Sequence, residues 1–156
     1  MYAQNSAAVA LPPGHRRNYV IIRTGRETLP LEGTMSFEIV EEEEGLLFRI
    51  TGDVTPNGMM DATVRGWQHP AWDTIRYQIW DFTGIGRVLI DNASAIAFAN
   101  MEKTSHERAK SMRIASVVAD AKMKKVCERF CGQARSNKID ARTFSNEDEA
   151  RRWLAA

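Results

Sequence analysis

Ile75-Arg76-Tyr77-Gln78-Ile79-Trp80-Asp81-Phe82 is the stretch that decides the fold. It is dense in β-branched and aromatic residues, lacks a helical period, and reads as a buried central strand closing on Asp81-Phe82-Thr83-Gly84-Ile85. Ile114-Ala115-Ser116-Val117-Val118-Ala119 repeats the pattern and ends at Asp120. Short apolar runs of this kind belong to strands covered on both faces. Between the two, the segment from about Ala93 to Lys110 carries Ile96, Phe98 and Met101 and predicts a helix.

The alternation continues on both sides. Met123, Val126, Cys127, Phe130 and Ala134 recur at helical spacing, with Lys122, Lys124, Lys125 and Arg129 off that stripe. Ile139 to Phe144 makes a short last strand. Ser145-Asn146-Glu147-Asp148 then starts a helix whose later Arg151-Arg152 suit the dipole, with Ala150, Trp153 and Leu154 as its buried stripe. Upstream, Phe37 and Ile39 alternate with polar residues, Glu43-Glu44-Gly45 turns, and Leu46 to Ile50 returns as a hairpin. The acid run Glu41 to Glu44 reads as a solvated strand end. Thr55-Pro56 opens a helix bearing Met59, Met60, Ala62, Val64 and Trp67, and His69-Pro70 ends it. The predicted fold is α/β: a mostly parallel sheet of about five strands with an antiparallel edge strand, covered by about four helices.

Length and composition bound the rest. The 156 residues suit one domain, and 44% hydrophobic against 26% charged residues permits a sizeable core. A net charge of +1 lacks the basic excess of a nucleic-acid binder. No apolar run is long enough to span a bilayer, and Met1-Tyr2-Ala3-Gln4-Asn5 does not open as a secretory signal. Cys127 and Cys131 sit four apart in a helical segment, a poor geometry for a disulfide, so a cytoplasmic location is expected. Residues 1–35 read as an N-terminal extension, with residues 36–156 as the domain. That extension is either flexible, with Met35 a candidate true start, or contributes an added edge strand through Tyr19-Val20-Ile21-Ile22.

Several of these pieces together resemble the SpoIIAA-like branch of STAS-type domains, the anti-sigma-factor antagonists, a group also related to CRAL-TRIO domains. They are Ile50-Thr51-Gly52-Asp53-Val54-Thr55, His69-Pro70, Asp81-Phe82, the run from Ile114 to Asp120, Arg142-Thr143-Phe144 and Glu149-Ala150-Arg151-Arg152-Trp153-Leu154. The resemblance covers about Ser36 to Leu154. It implies a regulatory module, with a loop serine phosphorylated by a partner kinase in the sporulation regulators. The matching place here is Asp91-Asn92-Ala93-Ser94-Ala95-Ile96, where Asn92 holds the phosphoacceptor position and Ala95 replaces the glycine. Ser94 is then either a displaced acceptor beside a helix N-terminus or that helix's cap.

Catalytic chemistry finds little support. Asp81 and Asp120 are expected at the carboxyl ends of neighbouring strands, with Asp91 on the adjoining loop, which is where open α/β sheets place ligands. Such carboxylates more commonly cap loops than hold a cation, and no metal site or cofactor is expected. His15, His69 and His106 are scattered, and Gly84-Ile85-Gly86 lacks the lysine of a phosphate-binding loop. The expected function is a non-catalytic regulatory or protein-interaction module, not an enzyme. Its candidate partner loops carry Asp81, Thr83, Asp91, Asn92, Ser94 and Asp120, and its candidate basic patch carries Lys122, Lys124, Lys125 and Arg129. That patch reads either as a surface for an anionic partner or as an ordinary solvated helix face. The alternative function is a carrier or sensor of a small apolar or lipid-like ligand, as the CRAL-TRIO relation implies. A homodimer through an exposed strand edge is a further expectation.

Overall fold

A computed structural model describes residues 21–23, 34–105 and 111–156. Six strands and four helices follow in the order β1 (Ile21–Arg23), β2 (Ser36–Glu41), β3 (Gly45–Val54), α1 (Pro56–Trp67), β4 (Tyr77–Val88), α2 (Asn92–Ser105), β5 (Met112–Val117), α3 (Ala121–Ala134), β6 (Ile139–Phe144) and α4 (Glu147–Ala155). The strands lie side by side in chain order, β1 to β6. β1, β2 and β3 pair antiparallel, and β3 to β6 run parallel, so the α/β fold class is the one expected. Ile21–Arg23 is a strand added at the edge, opposite Glu38 to Val40. Tyr19, Val20, His15 and the stretch from His106 to Lys110 lie outside the described residues.

Local chemistry sets the helix starts. The Thr55 hydroxyl accepts from the Gly58 N–H at 3.0 Å, with Pro56 at the first helical position. Asp120 caps α3 by accepting from the Met123 N–H at 2.8 Å, and Asn146 caps α4 through Glu149 at 2.9 Å.

Because the strands add in one direction, α1, α2 and α3 share one face of the sheet. There Leu46, Phe48, Trp80, Ile114 and Ile139 pack against Met59, Ala62, Phe98, Met123 and Val126 in a single core. Phe48 and Trp80 stack with centroids 4.0 Å apart. The opposite face carries a smaller cluster of Val40, Leu47, Ile79, Ala115 and Val117, closed by Ala150, Trp153 and Leu154 of α4. Trp153 packs on Phe144, and the guanidinium groups of Arg113 and Arg142 each lie over its ring.

Two expectations about this framework fail. β4 does not close at Phe82; it continues through Thr83-Gly84-Ile85-Gly86 to Val88, alongside the end of β3. Gly86 allows this pairing, since a Cβ there would lie 2.7 Å from the Asp53 carboxylate, which binds the Arg87 backbone N–H at 2.7 Å and the Arg87 guanidinium. The acid run is not uniformly solvated either. Glu43 and Glu44 are exposed, but Glu42 is buried against α4, where Arg151 donates to both its oxygens at 3.1 and 2.6 Å and the Tyr77 hydroxyl also donates to it.

Candidate functional site

The carboxyl edge of the sheet is formed where β4 ends and α2 begins. Leu89-Ile90-Asp91 makes this short connection, and the Leu89 N–H is fixed to the Val54 carbonyl at 2.8 Å. Asp91 caps α2: its carboxylate accepts from the Ser94 N–H at 2.9 Å, and its carbonyl accepts from the Ala95 N–H at 3.1 Å. Those interactions with Ser94 hold the Asp91 carboxyl below the ordinary carboxylate range. Ser94 is therefore in the first turn rather than at the cap, and the capping role, one of the two readings its sequence position allowed, belongs to Asp91.

The N-terminal half of α3 faces this connection. Lys122 donates its Nζ to the Val88 carbonyl at 2.8 Å, tying helix to strand end. Between them lies an open groove of about 490 Å³ lined by Leu89, Ile90, Asp91, Asn92, Lys122 and Lys125, with Val88 and Val126 completing it. Leu89 is 51% exposed, one of two large hydrophobic side chains exposed among the described residues. The groove thus offers an apolar knob, a helix N-terminus and lysine side chains on one surface.

Sequence reasoning named some of this surface. Asp91, Asn92, Lys122 and Lys125 meet at the groove, and Ser94 lies one turn into α2. Asp81 and Thr83 do not join them. Both belong to β4, and Asp81 faces α4, accepting from Arg49 at 2.9 Å and from the Thr83 N–H and hydroxyl at 2.9 and 2.7 Å. Asp120 is spent as the α3 cap. Among the described residues no three His, Cys, Asp or Glu side chains gather closely enough to hold a metal ion. The basic patch also divides: Lys124 pairs with Glu128 at 3.9 Å, while Lys125 and Arg129 are exposed. Leu89 was missed, because Leu89-Ile90 reads as a loop remnant once β4 is ended too early.

Cys127, Cys131 and His69 lie buried within the domain. Burial pushes the Cys127 thiol far up, with Cys131 adding to the effect, and burial likewise raises Cys131. Protonated buried thiols are poor nucleophiles. His69 is buried, its Nδ1 accepting from the Ala71 N–H at 3.1 Å and its Nε2 lying 3.7 Å from the Glu41 carboxylate.

Beneath the groove, between the sheet and α1 to α3, lies an interior cavity of about 50 Å³. That is far below the roughly 300 Å³ at which drug-sized ligand sites begin. Ile90 and Val126 line both spaces and form the partition between them. Among the described residues no helix is long and apolar enough to cross a membrane. In comparisons with known proteins, the chain matches no protein-family model and no curated protein.

Proposed function

We propose that this chain is a non-catalytic interaction module on a STAS-type, SpoIIAA-like scaffold, and that it docks an acidic segment of a protein partner at the carboxyl edge of its sheet. The observation that carries the reading is Leu89, 51% exposed beside Lys125 in an open groove. An exposed leucine in an open groove beside lysines offers an apolar contact flanked by positive charge, and the lysines favour acidic residues around that contact. The strand and helix order supports the scaffold assignment. Asn92 and Ser94 at the start of α2 keep the surface polar rather than switchable by the usual phosphoacceptor. The free thiols Cys127 and Cys131 suit a cytoplasmic setting.

Selection from a random peptide library tests this reading. Selected peptides should carry a leucine or aromatic residue flanked by Asp or Glu, and should shift the amide resonances of Leu89, Asn92 and Lys125. Leu89→Asp and Lys125→Glu should each weaken them at least tenfold, about 1.4 kcal/mol, as expected of a central contact. Peptides without acidic enrichment, or equal binding to both variants, would remove the groove from consideration.

A further inference from the structure

β4 outruns its neighbour on one side. β5 pairs with it only from Tyr77 to Asp81 and ends at Val117, after which Asp120 already caps α3. β3 stays beside β4 as far as Val88. From Thr83 to Val88, roughly 15–20 Å at the usual rise per residue, β4 is therefore paired on its β3 side, and no strand among the described residues pairs with it on the other. Local partners fix the peptide directions at the end of this stretch. Arg87 and Leu89 aim their N–H groups towards β3, at the Asp53 carboxylate (2.7 Å) and the Val54 carbonyl (2.8 Å). Backbone groups of successive strand residues alternate, so those of Gly86 and Val88 face the open side. Lys122 takes the Val88 carbonyl at 2.8 Å, while Gly86 is exposed.

An open strand edge is a template for pairing, and folded proteins commonly blunt it. The outer edge of β6 shows how this chain does so. Arg135 Nε donates to the Ala141 carbonyl at 2.9 Å, the Ser136 N–H donates to the Ile139 carbonyl at 3.0 Å, and the Ser136 hydroxyl accepts from the Ile139 N–H at 3.2 Å. Among the described residues no comparable guard reaches Gly86. Gly84 and Gly86 also lack side chains, which lets another backbone approach closely.

We propose that this edge of β4 binds the partner's acidic segment as an added β-strand, main chain to main chain. This mode of binding rests on the reading of the groove as a docking surface and gives its occupant a conformation. One ligand fits both places because they are continuous: Val88 ends the open edge and also lines the groove, with Leu89, Lys122 and Lys125 beyond it. A segment whose apolar residue covers Leu89 between the lysines runs on, extended, beside Gly86.

The tightest peptide from the library selection and a set of its singly N-methylated analogues are the probes. In an added strand every second N–H points at β4. Titrated into the full chain, the analogues should therefore lose affinity at least tenfold at alternate positions along one stretch, and little in between. The Gly86 amide should exchange with deuterium at least tenfold more slowly in the complex, while Thr143 on the guarded edge of β6 stays unchanged. Binding indifferent to N-methylation, losses without a two-residue period, or an unprotected Gly86 would each overturn the added strand and leave docking at the groove intact. Failure to select any acid-flanked peptide removes the groove reading and the added strand with it. Gly86 protection that grows with the concentration of the free chain assigns the edge to a second copy and overturns the proposal.

Discussion

Removing Arg151 should loosen the α4 face more than any other single surface-reaching change. Glu42 has only 3% of its side chain exposed, and Arg151 binds it through two nitrogens while retaining 32% exposure itself. The hydrogen bonds to Glu42 hold Arg151 above its already high ordinary range, against the lowering effect of burial. Breaking a buried pair by deleting one partner costs roughly 3–5 kcal/mol. Water reaches the Arg151 end of the pair, so the cost of Arg151→Met falls to about 2–3 kcal/mol. Glu42→Gln keeps the geometry and exchanges charged for neutral hydrogen bonds, at about 1–2 kcal/mol. Because each single change strands part of the same contact, the double variant should cost at least about 1 kcal/mol less than the sum. Urea denaturation of the four proteins measures the cycle, and Arg151→Met should melt roughly 5–10 °C lower in a chain of this size. Strict additivity, or a cost for Arg151→Met below about 0.5 kcal/mol, refutes the claim that this pair fastens α4 to the sheet.

Two further outcomes follow from glycines and titrating groups. Gly52 has φ +75°, and a Cβ there would lie 2.0 Å from the Thr34 carbonyl oxygen. Gly52→Ala should therefore destabilise by about 2–4 kcal/mol in urea melts, while Gly132→Ala, with nothing near its Cβ inside α3, should stabilise by about 0.5–1 kcal/mol. A harmless Gly52→Ala would show that this contact does not fix the β3 backbone at Gly52. Burial raises Cys127 and Cys131, and burial with the Glu42 hydrogen bond raises Tyr77. Groups raised in the folded state contribute stability below their unfolded pKa and lose it as pH rises, here from about pH 8.5 for the thiols and about pH 10 for the phenol. Urea midpoints should decline between about pH 8 and pH 10.5, and less steeply in a Cys127→Ala/Cys131→Ala/Tyr77→Phe chain. Parallel curves for the two proteins would contradict this assignment.

Local signals carried most of the fold because the residues involved act on their own neighbours. Thr55-Pro56 and Asn146 each satisfy an N–H three residues on, and the stripe from Met123 to Ala134 needs only its own spacing. β4 was cut short because Gly84 and Gly86 are turn formers in isolation. What keeps them extended is pairing with β3, including Asp53 gripping Arg87 across 34 positions. The same holds for Glu42, whose fate depends on an arginine 109 positions away. At the groove, Asp91, Asn92 and Lys125 were legible as polar residues near helix starts. Leu89 was not, since exposure depends on where β4 ends and how α3 leans on it through Lys122.

The side-by-side strand order has a consequence for how the chain assembles during synthesis. Each of β2 to β6 pairs with the strand made just before it, so the sheet can extend by one edge as successive segments leave the ribosome. α1, α2 and α3 arrive in step with their strands and cover one side as it grows. The other side stays open until α4 emerges, since its cover is Ala150, Trp153 and Leu154. Val40 and Leu47 therefore stay exposed to water through most of translation and Ile79 through much of its second half, and this is the interval in which a nascent chain is open to chaperones or to mispairing with a second copy.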